Sequence, residues 1–228
     1  MMERKIAASL LDWKVNPGKQ PLLLQGARQV GKTFTLLSFG KQHYKNVAYF
    51  DMEKSTAIQA IFRRDLNPER IMSELSAQSG KTILPGDTLL IFDEVQACEQ
   101  ALTSLKYFAE RAPQYHVIAT SSLLGAASKS EIYSFPVGKV DMLRLYPMDF
   151  EEFLWAVGQR ALCALIREAY ESFAPLSLHE TAMDWYKNYL VVGGLPRAVA
   201  EFSEKRDFDF VAAIQATLND SYIADMAK

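Results

Sequence analysis

The sequence predicts an α/β fold: about five parallel strands flanked by helices, followed by an all-helical C-terminal part. Three observations carry this expectation. Short apolar runs recur without polar alternation, which suits strands buried on both faces of a parallel sheet. Helical periodicity fills most of the intervals between them, with little hairpin signal. After Pro147 the strand-like runs cease.

The elements follow in order. Residues 1–14 read as an amphipathic helix through Ile6, Leu10, Leu11 and Trp13, ended by Asn16-Pro17-Gly18. Pro21 to Gln25 is the first strand. A helix runs from Lys32 through Phe34, Leu36, Leu37 and Phe39, with Gly40 as its stop. Asn46 to Met52 is the second strand. Two helical stretches, Thr56 to Arg64 and Pro68 to Gln78, precede the turn at Pro85-Gly86-Asp87. Thr88 to Phe92 is the third strand, and Cys98 to Arg111 a helix with Leu102, Leu105 and Phe108 at helical spacing. Tyr115 to Thr120 and Met142 to Tyr146 complete the sheet. Beyond it, Asp149 and Glu152 stand at capping-box spacing. Two further helices are expected: Thr181 to Val192, with Ala182, Trp185, Tyr186, Tyr189 and Leu190 on one face, and Phe208 to Ala227. This gives two parts, residues 1–146 and 147–228. No stop signal closes Ser221 to Lys228, which leaves open a fraying terminus or a longer protein.

Composition narrows the function. The 228 residues are 49% hydrophobic and 23% charged, with a net charge of −2. A dedicated nucleic-acid binder shows a basic excess, so charge does not support that class. No apolar run approaches the ~20 residues of a membrane helix, and the N-terminus lacks a signal-peptide core. The expectation is a cytoplasmic protein without a membrane partner. Cys98 and Cys163 have no clustered partners, and His43, His116 and His179 show no metal spacing.

The most informative string is Gly26-Ala27-Arg28-Gln29-Val30-Gly31-Lys32-Thr33, with Phe34 next on the helix. It satisfies G-x-x-x-x-G-K-[ST], a loop whose backbone N–H groups converge on phosphate oxygens. A chance match in a chain of this length is about one in a hundred. The strand before it and the helix after it are the context the mechanism needs. Residues 26–34 are the expected nucleotide-binding segment. Lys32 would meet the β- and γ-phosphates, and Thr33 would offer its hydroxyl to Mg²⁺. Arg28 and Gln29 either project outward or couple the loop to nearby acids.

A second string, Leu89-Leu90-Ile91-Phe92-Asp93-Glu94, is an apolar strand ending in two acids. Ligands of open α/β sheets gather at such strand ends. Asp93 is expected in the Mg²⁺ site and Glu94 beside the water that attacks the γ-phosphate. Nucleotide kinases and GTPases usually lack an acid at this step, so Asp93-Glu94 points to ATP hydrolysis. No Asn-Lys-x-Asp string, the guanine reader, is present, which favours adenine. Thr120 and Ser122, at the end of the fourth strand, are candidate contacts to the γ-phosphate or the water. Arg197, in Gly193-Gly194-Leu195-Pro196-Arg197, is a candidate phosphate contact from the helical part, although that string is also a helix stop followed by a Pro-started helix.

The strings LLLQGARQVGKT, TLLIFDEVQ, HVIATSSLLG, FPVGKV, LYPMDFEEFL and YLVVGGLPRAV, in this order, resemble the prokaryotic AAA-type P-loop ATPases. The resemblance covers nearly the whole chain, from about Leu22 to Lys228. It implies a P-loop NTPase fold with an extra strand between the two motif strands, and a helical lid. It makes Gly26 to Thr33 the Walker A loop and Asp93-Glu94 the Walker B pair. Thr120 becomes sensor 1, and Gly194 to Arg197 a sensor 2 region. Relatives carry Thr-Gly-Ser where this chain has Thr120-Ser121-Ser122. They continue into a C-terminal domain with a nuclease-like fold. The implied activity is Mg²⁺-dependent hydrolysis of ATP to ADP, coupled to movement of the lid or of a partner domain. The alternative is a nucleotide-gated switch or assembly module with negligible turnover. Self-association and the further C-terminal domain are the partners that remain open.

Overall fold

The structure is a computed structural model, and it describes residues 2–122 and 138–226. The last three residues of HVIATSSLLG, the first three of FPVGKV, and Ala227 of the last expected helix lie outside the described residues. The chain divides into two compact units, Ile6–Leu145 on one side and Met1–Lys5 with Tyr146–Lys228 on the other.

The larger unit is a five-stranded parallel sheet with helices on its faces. Its elements are α1 (Ile6–Val15), β1 (Leu22–Gly26), α2 (Lys32–His43), β2 (Asn46–Asp51), α3 (Thr56–Arg64), α4 (Pro68–Ser79), β3 (Thr88–Asp93), α5 (Glu99–Arg111), β4 (His116–Ser122) and β5 (Asp141–Arg144). The strand order is β2-β3-β4-β1-β5, and every neighbouring pair is parallel. β4 therefore separates β1 from β3, as the resemblance implies for the strand between the two motif strands.

Burial explains the unpatterned apolar runs. Every residue of β1 and β3 is buried, while the edge strand β5 is not. Alternation sends Leu90 and Phe92 of β3 to one face and Leu89 and Ile91 to the other. The first face packs with Val117 and Ala119 of β4 against α3, α4 and α5, through Phe62, Ile71, Leu75, Leu105 and Phe108. Phe92 meets Phe62 edge-on at 5.3 Å and Phe108 at 5.9 Å, geometries that favour ring pairs. α2 lies on the opposite face.

Two expectations change here. α2 does not stop at Gly40 but continues to His43. A Cβ on Gly40 would lie 2.6 Å from Val47 Cγ2 and 3.1 Å from Leu89 Cδ2. That glycine lets the helix approach the sheet, so packing and not helix termination explains it. The N-terminal helix begins only at Ile6, and Leu11 on it is exposed.

The smaller unit contains α6 (Phe150–Ala156), α7 (Arg160–Ser172), α8 (His179–Val192), α9 (Pro196–Lys205) and α10 (Phe208–Met226). Asp149 caps α6 in a complete capping box with Glu152. Phe153, Val199, Phe202, Val211, Ile214 and Leu218 form its main core. On α8, Ala182 is buried and Trp185 and Tyr189 pack inward, but Leu190 is exposed. The chain's start is tied in by the buried Arg4–Glu152 ion pair at 3.2 Å and by Lys5 Nζ, 2.6 Å from both Asp149 and Glu151. Gly193 ends α8 with φ 71°, and a Cβ on Gly194 would overlap the Met148 backbone, whose N–H donates to Gly194 O at 2.6 Å. Positive φ accounts for Gly193 and backbone contact for Gly194. Cys98 and Cys163 are free and buried. Among the described residues no helix is long and apolar enough to cross a membrane, and no group of three or more His, Cys, Asp or Glu side chains is placed to hold a metal ion.

Candidate functional site

The loop after β1 and the acids after β3 meet at the carboxyl ends of the strands. β1 ends in Gly26, which is in register with Ser122 of β4. A Cβ on Gly26 would overlap Leu145 O and lie 3.1 Å from Val30 Cγ2, so the chain turns sharply here only without a side chain. Gln29 and Gly31 adopt positive φ, 66° and 94°. Together they curl the loop back over the strand end, with Val30 fully buried beneath it. α2 then begins at Lys32 with no side chain capping its first turn and no acid in it. Its positive dipole end is left facing the loop.

Lys32 is buried, with 4% of its surface exposed. Its Nζ donates to Gly26 O at 2.9 Å and Ala27 O at 3.2 Å, and stands 3.7 Å from Glu94 Oε1. Burial pulls its pKa below the usual lysine range, against the opposing pull of Glu94 and Asp93. Thr33 Oγ1 donates to Asp93 Oδ2 at 2.7 Å. Arg28 reaches 3.9 Å from Glu53, Gln29 is exposed, and Phe34 is 56% exposed on the outer side of α2.

Asp93 is the hub. Besides Thr33, it accepts from the Tyr49 hydroxyl at 2.7 Å and from Thr120 Oγ1. Thr120 Oγ1 in turn accepts from Glu94 N–H at 3.0 Å. The Thr120 hydroxyl thus joins the two acids to β4 and is engaged within the pair. Tyr49 is held protonated: burial first, then the Asp93 hydrogen bond and charge, raise its pKa well above the tyrosine range. Glu94 has φ 53° and ψ 51°, the left-handed region, unusual for a residue with a side chain. Gln96 Nε2 donates to Glu94 Oε2 and, at 3.2 Å, to Ser122 Oγ. Ser121 fits within β4, buried and opposite Gln25, without positive φ.

The structure therefore brings together Gly26, Lys32, Thr33, Asp93, Glu94, Thr120 and Ser122. Arg197 belongs to the smaller unit, exposed in the first turn of α9. Two residues at the site escaped the sequence reading, Tyr49 and Gln96. Tyr49 was hidden because β2 pairs with β3 through a register that only the fold supplies. Gln96 stands two residues after Glu94, and only the turn geometry marks it.

Residues 18–154, well over half of the chain, match the family model described as AAA domain. The chain belongs to this family of AAA-type P-loop ATPases. No curated protein sequence matches it. Solved structures that align with the chain include Caenorhabditis elegans PCH-2 (13% identity, TM-score 0.48, 93% of this chain and 66% of that one). AMPPCP-bound DnaA from Aquifex aeolicus aligns at 15% identity and TM-score 0.46, over 88% of this chain and 60% of that one. Cdc6p from Pyrobaculum aerophilum aligns at 16% identity and TM-score 0.41, over 68% and 47%. The AAA chain thus spans between about half and two thirds of the length of each.

Proposed function

We propose that this AAA domain binds ATP with Mg²⁺ and hydrolyses it to ADP and phosphate. The observation that carries the reading is the convergence of both motifs. Thr33 of the loop bonds Asp93 at 2.7 Å, and Lys32 lies 3.7 Å from Glu94. A hydroxyl and a carboxylate, hard oxygen donors in contact, fit the demands of Mg²⁺. Thr33 and Asp93 would hold the ion, which when bound offsets the charge of the β- and γ-phosphates. Residues 26–34 would cradle the phosphates through backbone N–H groups. Lys32 would exchange its carbonyl partners for phosphate oxygens.

Glu94 is the proposed base. A water oxygen bonds to the γ-phosphorus and the bond to the ADP oxygen breaks, its electron pair leaving on ADP. The water proton passes to the Glu94 carboxylate. Thr120 positions both acids through Asp93 Oδ1 and the Glu94 N–H. Arg197 is the residue proposed to make the helical unit responsive to nucleotide state. A switch with little turnover of its own is the second reading, favoured by the Lys32 and Gln96 contacts that already occupy Glu94.

Titration with an ATP analogue in Mg²⁺, followed by a phosphate-release assay, tests this. Glu94→Gln should bind as the wild type and lose at least about 100-fold in kcat. Undiminished turnover in that variant removes Glu94 as base, and wild-type turnover in Arg197→Ala removes Arg197. Binding without phosphate release by the unmodified chain selects the switch.

A further inference from the structure

We propose that Gln96 is a further residue of the hydrolytic site and holds the attacking water through its side-chain carbonyl oxygen. The proposal rests on the reading of Glu94 as the base. Gln96 lies in the three-residue 3₁₀ turn Val95–Ala97 that follows β3. Its Nε2 donates to Glu94 Oε2 and to Ser122 Oγ. These partners fix which way round the amide sits, because turning it over would set Oε1 against a carboxylate oxygen. Oε1 is then a buried acceptor without a hydrogen-bond partner among the described residues.

Such an atom needs an explanation, since leaving a buried acceptor unmatched costs about 1–3 kcal/mol. The backbone here is also unfavourable. Glu94 sits in the left-handed region, and that conformation starts the turn that brings Gln96 back onto its carboxylate. Strain of this kind, of order 1–3 kcal/mol, collects where function requires it. Both costs fall on one three-residue stretch.

The chemistry supplies the missing donor. An attacking water has two protons and must present a lone pair to phosphorus. Glu94 accepts one proton. The other O–H needs an acceptor that does not remove it, and a neutral amide oxygen is such a group. Because the same amide donates to Glu94 from Nε2, its Oε1 is held beside that carboxylate. The balance is that of hydrolysis: one proton goes to Glu94, and the second stays on the new phosphate oxygen, donated to Gln96 Oε1. Ser122 anchors the amide from β4 and is a positioning residue.

The opposite role is a clamp in which Gln96 restrains Glu94, and it predicts the opposite sign. Phosphate release and fluorescent ATP-analogue binding in Mg²⁺ are measured on the full chain and on Gln96→Leu, Gln96→Glu, Ser122→Ala and Glu94→Gln. Gln96→Leu keeps the bulk and loses the amide; kcat should fall about 10–100-fold with KM and analogue affinity within about twofold. Gln96→Glu restores an acceptor but sets a second carboxylate beside Glu94. Turnover should partly return, with the acidic limb of its pH profile moved to higher pH. Ser122→Ala should lower kcat severalfold without changing KM, and decides the matter if Gln96→Leu does not fold. Unchanged or raised kcat in Gln96→Leu, or a parallel loss of analogue affinity, overturns the proposal. A dead Glu94→Gln with a normal Gln96→Leu overturns it alone. An active Glu94→Gln, or a wild type that releases no phosphate, overturns it together with the reading beneath it.

Discussion

The two ends of β4 are built on opposite principles. At its start, His116 lies edge-on to Trp13 at 5.9 Å and to Tyr44 at 5.5 Å, with its Nδ1 2.9 Å from the Tyr44 hydroxyl. Burial, then the nearby Lys19 and Lys14 charges, push its pKa down to about 4. The ring is neutral, so the Tyr44 hydroxyl, itself kept protonated by burial, donates to Nδ1. At the other end, Thr120 and Ser122 border a buried ammonium and two acids. There an unmatched amide oxygen and a left-handed glutamate remain. One end removes charge and pairs its histidine Nδ1 with a tyrosine hydroxyl. The other concentrates charge and leaves a neutral acceptor beside it, Gln96 Oε1, without a partner among the described residues. The first arrangement stabilises a fold, and the second is what the proposed binding of a charged nucleotide requires.

The strongest way to break this comparison is Lys32→Ala. ATP affinity should fall by at least about 100-fold, or about 2.7 kcal/mol. The thermal midpoint should move by only about 3 °C or less, because the buried charge removed is itself costly. Calorimetric titration and a melting curve on one preparation test both. Equal collapse of stability and binding would show that the loop end is structural after all. His116→Ala is the converse. It leaves the Tyr44 hydroxyl unpaired and a gap between two rings, so unfolding free energy should drop by about 2–3 kcal/mol. Nucleotide affinity should stay unchanged, and a variant that also lost affinity would show the two ends to be coupled.

The same contrast explains what the sequence made legible. The loop and the acid pair that the fold brings together could be singled out because the chemistry proposed for them depends on local spacing, Gly26 to Thr33 and the run before Asp93. The strands were legible because a fully buried strand needs no polar alternation. Tyr49 was not, since its bond to Asp93 depends on which strand β2 pairs with, a non-local choice. Gly40 was misread as a stop because its purpose lies in Val47 and Leu89 on neighbouring strands. Gly194 invited a functional reading as part of Gly194 to Arg197, yet backbone contact to Met148 already requires it. His116 looked like a scattered histidine, because nothing local reveals the cage that α1 and Tyr44 build around it.

The smallest effect concerns pH. His116 titrates near its ordinary value of 6.5 when unfolded and near 4 when folded. Between those values the unfolded chain binds the extra proton, so stability falls as pH is lowered from about 6.5 towards 4 and levels off below. The ring is partly exposed, and solvent screening reduces the expected loss to about 1–2 kcal/mol. Carboxylates lowered by their partners, Asp51, Asp65, Asp149 and Glu151, contribute differently. Their contribution is present above the ordinary values of 3.8 and 4.5 and is lost only as pH falls below them. A window from pH 7 to pH 5 therefore isolates the histidine. Urea unfolding across that window should show a decline in the wild type that is absent from His116→Ala. The slope with denaturant should stay constant, since only protonation differs. A decline of the same size in both chains would mean that the aromatic cage does not hold His116 neutral, and the contrast between the ends of β4 would then rest on geometry alone.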